Sequence, residues 1–142
     1  MHSITALKMR GSKILLATTK NEMYLFDLKG WKKDHKQSNP EKYFVSLGNN
    51  AASAVEMSDN FYYAALSFDK TIVIYEFKGG ENKVYFKEFK KFPRNLFKSS
   101  ANSLHISQNE TYLITTGSEA DTIVNVFSMN GDRLATANTY QI

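Results

Sequence analysis

Apolar runs separated by short polar turns recur along the chain in three matching sets. The best-matched part of each reads ILLATTKNEMYLFDL from Ile14 to Leu28, YYAALSFDKTIVIYEF from Tyr62 to Phe77, and YLITTGSEADTIVNVFSM from Tyr112 to Met129. Each is a run of apolar and small residues, a polar turn, then a β-rich run with an aromatic near its end. Read as strands, the first set gives Ile4–Met9, Ile14–Thr18, Met23–Asp27 and Lys42–Leu47. The second gives Ala52–Met57, Phe61–Leu66, Thr71–Phe77 and Val84–Phe89, and the third Asn102–Ser107, Tyr112–Thr116, Ile123–Phe127 and Leu134–Asn138. The Ile14–Thr18 run is almost continuously apolar, as expected of a strand covered on both faces. Turn residues punctuate the runs: Gly11, Ser58-Asp59-Asn60, Gly79-Gly80 and Asn130-Gly131. Tyr85, Phe89 and Phe92 also fall at helical spacing ahead of Pro93. The strand reading is taken there because the other two sets place a strand at that point.

The sets start 48 and then 50 residues apart (14 to 62, 62 to 112). A β-rich unit repeated at about that spacing is the signature of propeller blades. The expected blades are residues 2–50, 51–99 and 100–142, each of four antiparallel strands. Closed propellers have about four to eight blades, so three cannot close a ring. The expectation is a piece of a longer propeller, with further blades missing from the chain, or a form that pairs with another chain.

Composition agrees with a folded β protein. Of 142 residues, 42% are hydrophobic and 13% aromatic, with ten Phe and eight Tyr. With no cysteine, disulfides, thiolate metal sites and a thiol nucleophile are excluded. No apolar stretch reaches the ~18 residues that span a bilayer, so no membrane segment is expected in this chain. The formal charge is +4, mildly basic, which permits contact with nucleic acid or a ribosome but equally fits a solvated surface.

Asp69-Lys70-Thr71-Ile72-Val73-Ile74-Tyr75-Glu76 resembles the WD-repeat pattern of turn Asp, Thr, β-branched residues, aromatic and acid. Asp121-Thr122-Ile123-Val124-Asn125-Val126-Phe127-Ser128 repeats it, and Phe26 and Asp27 end a shortened copy. The resemblance implies an all-β, partial WD40-type β-propeller. It also implies that the strand aromatic packs between neighbouring blades and that the turn Asp bonds a loop histidine. Tyr75 and Phe127 stand where the family has Trp, and no Gly-His pair occurs, so the blades are divergent. The ending, Asn130-Gly131-Asp132-Arg133-Leu134-Ala135-Thr136-Ala137-Asn138-Thr139-Tyr140-Gln141, resembles the Lys-Gly-x-x-Leu-x-Thr-x-Asn-Thr-x-Gln stretch of the transducin beta-like protein 2 family. That resemblance implies endoplasmic reticulum stress signalling, a cytoplasmic-side propeller on the endoplasmic reticulum, and ribosome and messenger RNA contact.

Chemistry is sparse. His2, His35 and His105 form no metal-ligand spacing, and no nucleophile elbow, phosphate loop or dinucleotide loop occurs. Ser67, Ser118, Asp69 and Asp121 fall in expected turns, where they stabilise the backbone. No enzyme activity, cofactor or small-molecule substrate is expected. Two basic clusters carry the partner expectations. Trp31 with Lys29, Lys32, Lys33 and Lys36 is the candidate protein-binding loop, because a large aromatic on a polar loop suits an interface anchor. Lys87, Lys90, Lys91 and Arg94, with Lys83 and Lys98, interleave with Tyr85, Phe86, Phe89, Phe92 and Phe97 and form the candidate RNA contact. The simpler reading of that cluster points the rings into the sheet and the lysines out.

Overall fold

Each apolar set folds into one four-stranded antiparallel sheet. The computed structural model describes residues 3–19, 22–28, 41–44, 51–68, 70–80, 83–93, 97–117 and 123–138. Blade 1 holds β1 (Ile4–Arg10), β2 (Lys13–Thr18), β3 (Glu22–Asp27) and β4 (Glu41–Phe44). Blade 2 holds β5 (Ala54–Met57), β6 (Tyr63–Phe68), β7 (Thr71–Gly80) and β8 (Lys83–Lys91). Blade 3 holds β9 (Ser103–Ile106), β10 (Tyr112–Thr116), β11 (Ile123–Ser128) and β12 (Arg133–Asn138). The strands pair in chain order within each sheet, and the innermost strands β1, β5 and β9 lie side by side. This is the arrangement of three blades of a β-propeller.

The segment read either as strand or as helix is β8, and it runs to Lys91. Its partner β7 extends through Gly79 and Gly80, which pair with Val84 and Lys83. The glycine pair therefore ends a ladder where a loop was expected. β6 begins two residues later than expected because Phe61 takes a positive φ of 60° in the preceding turn. Ser67 is correspondingly a buried strand residue of β6, not a turn residue.

Side chains alternate across each strand, so every blade has a rear face toward the preceding blade and a forward face toward the next. The forward face of blade 1 (Leu15, Ala17, Met23, Leu25) meets the rear face of blade 2 (Val55, Met57, Leu66, Val73, Tyr75) in one core. The forward face of blade 2 (Ala65, Ile72, Ile74), with Phe92 and Phe97 from the crossover, meets the rear face of blade 3 (Leu104, Ile106, Leu113, Phe127) in a second. Phe127 lies 5.3 Å from Phe92 and 5.7 Å from Phe97, both in tilted or edge-on geometry. The crossover is tied down by Thr71, whose buried hydroxyl donates to the carbonyls of Phe92 (3.0 Å) and Pro93 (2.8 Å). Ser53 Oγ donates to the Ala101 carbonyl at 2.6 Å, and the Ala101 N–H donates to Ser67 Oγ at 2.9 Å. These bonds join blade 2 to the chain entering blade 3.

The turn between the first two strands has the same form in blades 2 and 3, where Phe61 and Glu110 stand at its left-handed position with φ of 60° and 58°. The turn of blade 1 is two residues shorter, closed by the Arg10–Lys13 pair, and carries Gly11 at φ 57°. Ser58 and Ser107 each accept two backbone N–H groups in the two later copies, from Tyr62 and Tyr63 and from Thr111 and Tyr112. A left-handed residue with a Cβ costs about 1–2 kcal/mol, and Glu110 also buries Oε2 without a hydrogen bond. Glu110→Gly should therefore raise stability by about 0.5–1 kcal/mol in urea unfolding, net of glycine's entropic cost.

Candidate functional site

The innermost strands place three unlike side chains at one repeated position: Lys8 on β1, Glu56 on β5 and His105 on β9. Glu56 is fully buried, and a buried carboxylate needs charge partners. It finds cations on blade 1, and the His105 imidazole of blade 3 lies on its other side. Arg10 Nη2 donates to Oε1 at 3.0 Å, Lys8 Nζ lies 3.4 Å from Oε2, and His105 Nδ1 lies 3.6 Å from Oε2. The Met57 N–H donates to Oε1 at 2.8 Å. Arg10 also donates from Nε to the Met57 carbonyl at 2.8 Å and from Nη1 to Asp59. One carboxylate thus links three blades. Beside it an open cavity of about 280 Å³ is walled by β1, β5 and β9, with Lys8, Ser53 and Asn102 among its polar residues.

A second surface lies at the far end of blade 2. Tyr62 is 63% exposed, on the turn before β6. The rings of Tyr63 and Phe89 pack in a tilted pair with centroids 5.3 Å apart, and Phe89 is itself 38% exposed. Lys78 pairs with Glu76 at 2.8 Å. Tyr62, Tyr63, Glu76, Phe77 and Lys78 line a shallow cavity of about 140 Å³. Exposed tyrosine and phenylalanine beside an ion pair make this surface amphipathic, the composition enriched at protein interfaces.

The residues singled out from the sequence divide into three groups. Trp31, Lys29, Lys32, Lys33, Lys36, Arg94, Asp69, Asp121, Ser118, His2 and His35 lie outside the described residues. Lys87, Lys90, Lys91 and Lys98 are exposed along β8 and the crossover, whereas Phe92 and Phe97 are buried in the second core. Phe86 packs on Phe77 at 4.4 Å. The rings therefore point mainly inward, and the lysines outward. Phe26, Tyr75 and Phe127 share one strand position, set by the ladders Met9–Ile14–Phe26, Met57–Ala64–Tyr75 and Ile106–Leu113–Phe127. Tyr75 and Phe127 are buried between blades, while Phe26 on the rear face of blade 1 is half-buried. Asp27 closes β3 opposite Lys13.

Glu56, Arg10 and Tyr62 were not legible as site residues. A signal existed for Glu56: it is an acid inside an otherwise apolar strand, one repeat length from Lys8 and from His105. His105 is 56% exposed at its side chain and faces Glu56. Among the described residues, no cluster of three or more His, Cys, Asp or Glu side chains could hold a metal ion, and no helix is long and apolar enough to cross a membrane.

No protein-family profile and no curated protein sequence matches the chain. Its fold is similar to a solved structure, the β-propeller domain of Cps50 (Swd1) from Myceliophteria thermophila, with a TM-score of 0.70 and 14% sequence identity. The match covers 96% of this chain and 44% of that one, so the chain spans less than half of that propeller domain's length.

Two predictions follow from the junctions. Arg10→Ala leaves the Glu56 carboxylate short of a partner and should cost about 3 kcal/mol. Adding Glu56→Gln should recover part of that loss, with a coupling energy above about 1 kcal/mol in a double-mutant cycle; additive costs would show that the two do not act together. Burial, reinforced by the Glu88 charge, pushes the Tyr75 hydroxyl from 10.0 up to about 12. The unfolded chain then ionises first, so the stability contributed here is complete below pH 10 and is lost as pH rises toward 12. Tyr75→Phe should remove that part of the alkaline loss, read from unfolding midpoints across the same pH range.

Proposed function

We propose that this chain is a non-catalytic scaffold that binds other proteins, with the Tyr62–Phe89 patch of blade 2 as a docking point. The propeller fold supports the general reading, since propeller blades present loops and rims as binding surfaces on a rigid frame. The observation that carries the specific one is the exposed aromatic patch beside the Glu76–Lys78 pair. The candidate Trp31 loop extends the same proposal. The resemblance of the chain's ending to the transducin beta-like protein 2 family supports a role in endoplasmic reticulum stress signalling, on the cytoplasmic side of that membrane.

The second reading, contact with RNA or the ribosome, rests on Lys87, Lys90 and Lys91, all exposed on β8. It is the weaker of the two because Phe92 and Phe97, which would have stacked on bases, are interior. The experiment compares two variants of the tagged chain in partner capture and in anisotropy with a single-stranded RNA. Tyr62→Ser with Phe89→Ser should reduce the captured protein at least about tenfold, as loss of interface anchors does. Charge reversal of the three lysines should leave capture unchanged. Binding that follows the lysines instead, and falls about tenfold or more between 50 and 200 mM salt, is the outcome that supports RNA.

A further inference from the structure

The cavity at the far end of blade 2 holds a carboxylate among aromatic rings. Blade 2 has a neighbour on both of its faces, so Tyr62 and Phe89 are exposed with both neighbours in place. Glu76 stands opposite Tyr63 on β6 and opposite Lys87 on β8, so these three side chains share one face of the sheet. Tyr62 and Phe77 line the cavity too, joined where the Phe77 N–H donates to the Tyr62 carbonyl at 2.9 Å. Glu76 pairs with Lys78 Nζ at 2.8 Å, and the two differ in access: the Glu76 side chain is 22% exposed and that of Lys78 46%. The acid is the more enclosed half of the pair, and the lysine is the half that can swing into solvent. Ring faces carry negative partial charge and attract cations. A carboxylate set among rings therefore suits a cation and repels an anion, and in the free chain Lys78 fills that place from within.

We propose that this cavity receives an arginine side chain of the partner protein, with Glu76 as its acceptor and the exposed Tyr62 ring as its stacking surface. Arginine fits better than lysine. Its planar fork pairs with a carboxylate through two N–H groups, and its face lies on an aromatic ring. Lys78 is the internal competitor that the incoming guanidinium displaces. An exposed ion pair adds little stability, so its displacement costs little against a bidentate pair. Lys87 is the other cation on this face, exposed on β8, and the adjacent Glu88 balances its charge. This inference rests on the docking reading of the Tyr62–Phe89 patch and adds the partner's chemistry to it.

The probes are N-acetyl-arginine methylamide and its glutamate counterpart. They are titrated through the millimolar range onto the full chain and followed in the ring resonances of Tyr62 and Phe89. The arginine probe should shift them saturably and the glutamate probe should not. Glu76→Gln should weaken the arginine probe about tenfold or more, as loss of a charged hydrogen-bond partner does. Lys78→Gln should tighten it about two- to fivefold, because the competing ion pair is gone. Urea unfolding checks that each variant is folded; should Glu76→Gln unfold, Lys78→Gln decides alone, since its expected effect is a gain. No saturable shift with arginine overturns the proposal. So does weaker arginine binding by Lys78→Gln, and so does a glutamate shift that depends on Lys78, which would mean an anion site. If Tyr62→Ser with Phe89→Ser abolishes partner capture while Glu76→Gln leaves it unchanged, the patch docks a partner without arginine, and only this inference fails.

Discussion

A sheet that is apolar on both faces has to be covered on both, and this requirement organises the whole chain. Blade 2 alone meets it internally: one face lies on blade 1 and the other on blade 3. Its β6 strand is accordingly buried along almost its full length, with Ala64, Ala65 and Leu66 inaccessible. Burying a Leu- or Ile-sized side chain contributes about 1.5–3 kcal/mol, so the stability of this chain resides between its sheets more than within any one of them. The same strand position shows the effect directly. Tyr75 and Phe127 are buried because a blade precedes them, and Phe26 is half-buried on the rear face of blade 1.

The sequence revealed the blades because their signal is local. Period-two patterning, turn residues and an aromatic at a fixed offset recur at a constant spacing, and each reflects the geometry of one strand or one hairpin. The strand ends were less legible where the turn departs from standard chemistry. Phe61 and Glu110 occupy a left-handed turn position, and nothing in their side chains announces it. Likewise Gly79 and Gly80 continue a ladder, because the two-stranded ribbon of β7 and β8 extends beyond the core that its inner part covers.

The site residues were harder to find, for a physical reason. Lysine clusters and a lone tryptophan stand out in a sequence by composition, and exposure decides what they can do. Phe92 and Phe97 sit among lysines in the chain yet face the interior in the fold, because they fill the gap where the crossover passes under Phe127. Tyr62 is adjacent to Tyr63, yet it stays in solvent while Tyr63 leans on Phe89. Neighbours in sequence differ in exposure, and only the tertiary structure tells which of them is open.

Glu56 shows what polar chemistry adds to this apolar frame. A buried ion pair is a weak source of stability, because desolvating its charges offsets much of their attraction. A hydrophobic residue at that position would pack on any blade. Glu56 fits best where its neighbours supply Lys8 and Arg10 on one side and His105 on the other. At the same repeated position the three blades carry a cation, an acid and a histidine, so the apolar faces make the blades stack and this position makes their order distinguishable. Blades built from interchangeable β-rich repeats face many near-equivalent pairings, and a mismatched pairing here would leave a carboxylate buried without a cation. That penalty is large compared with the small packing differences among valine, isoleucine and leucine, which is why one carboxylate can govern which blade lies beside which.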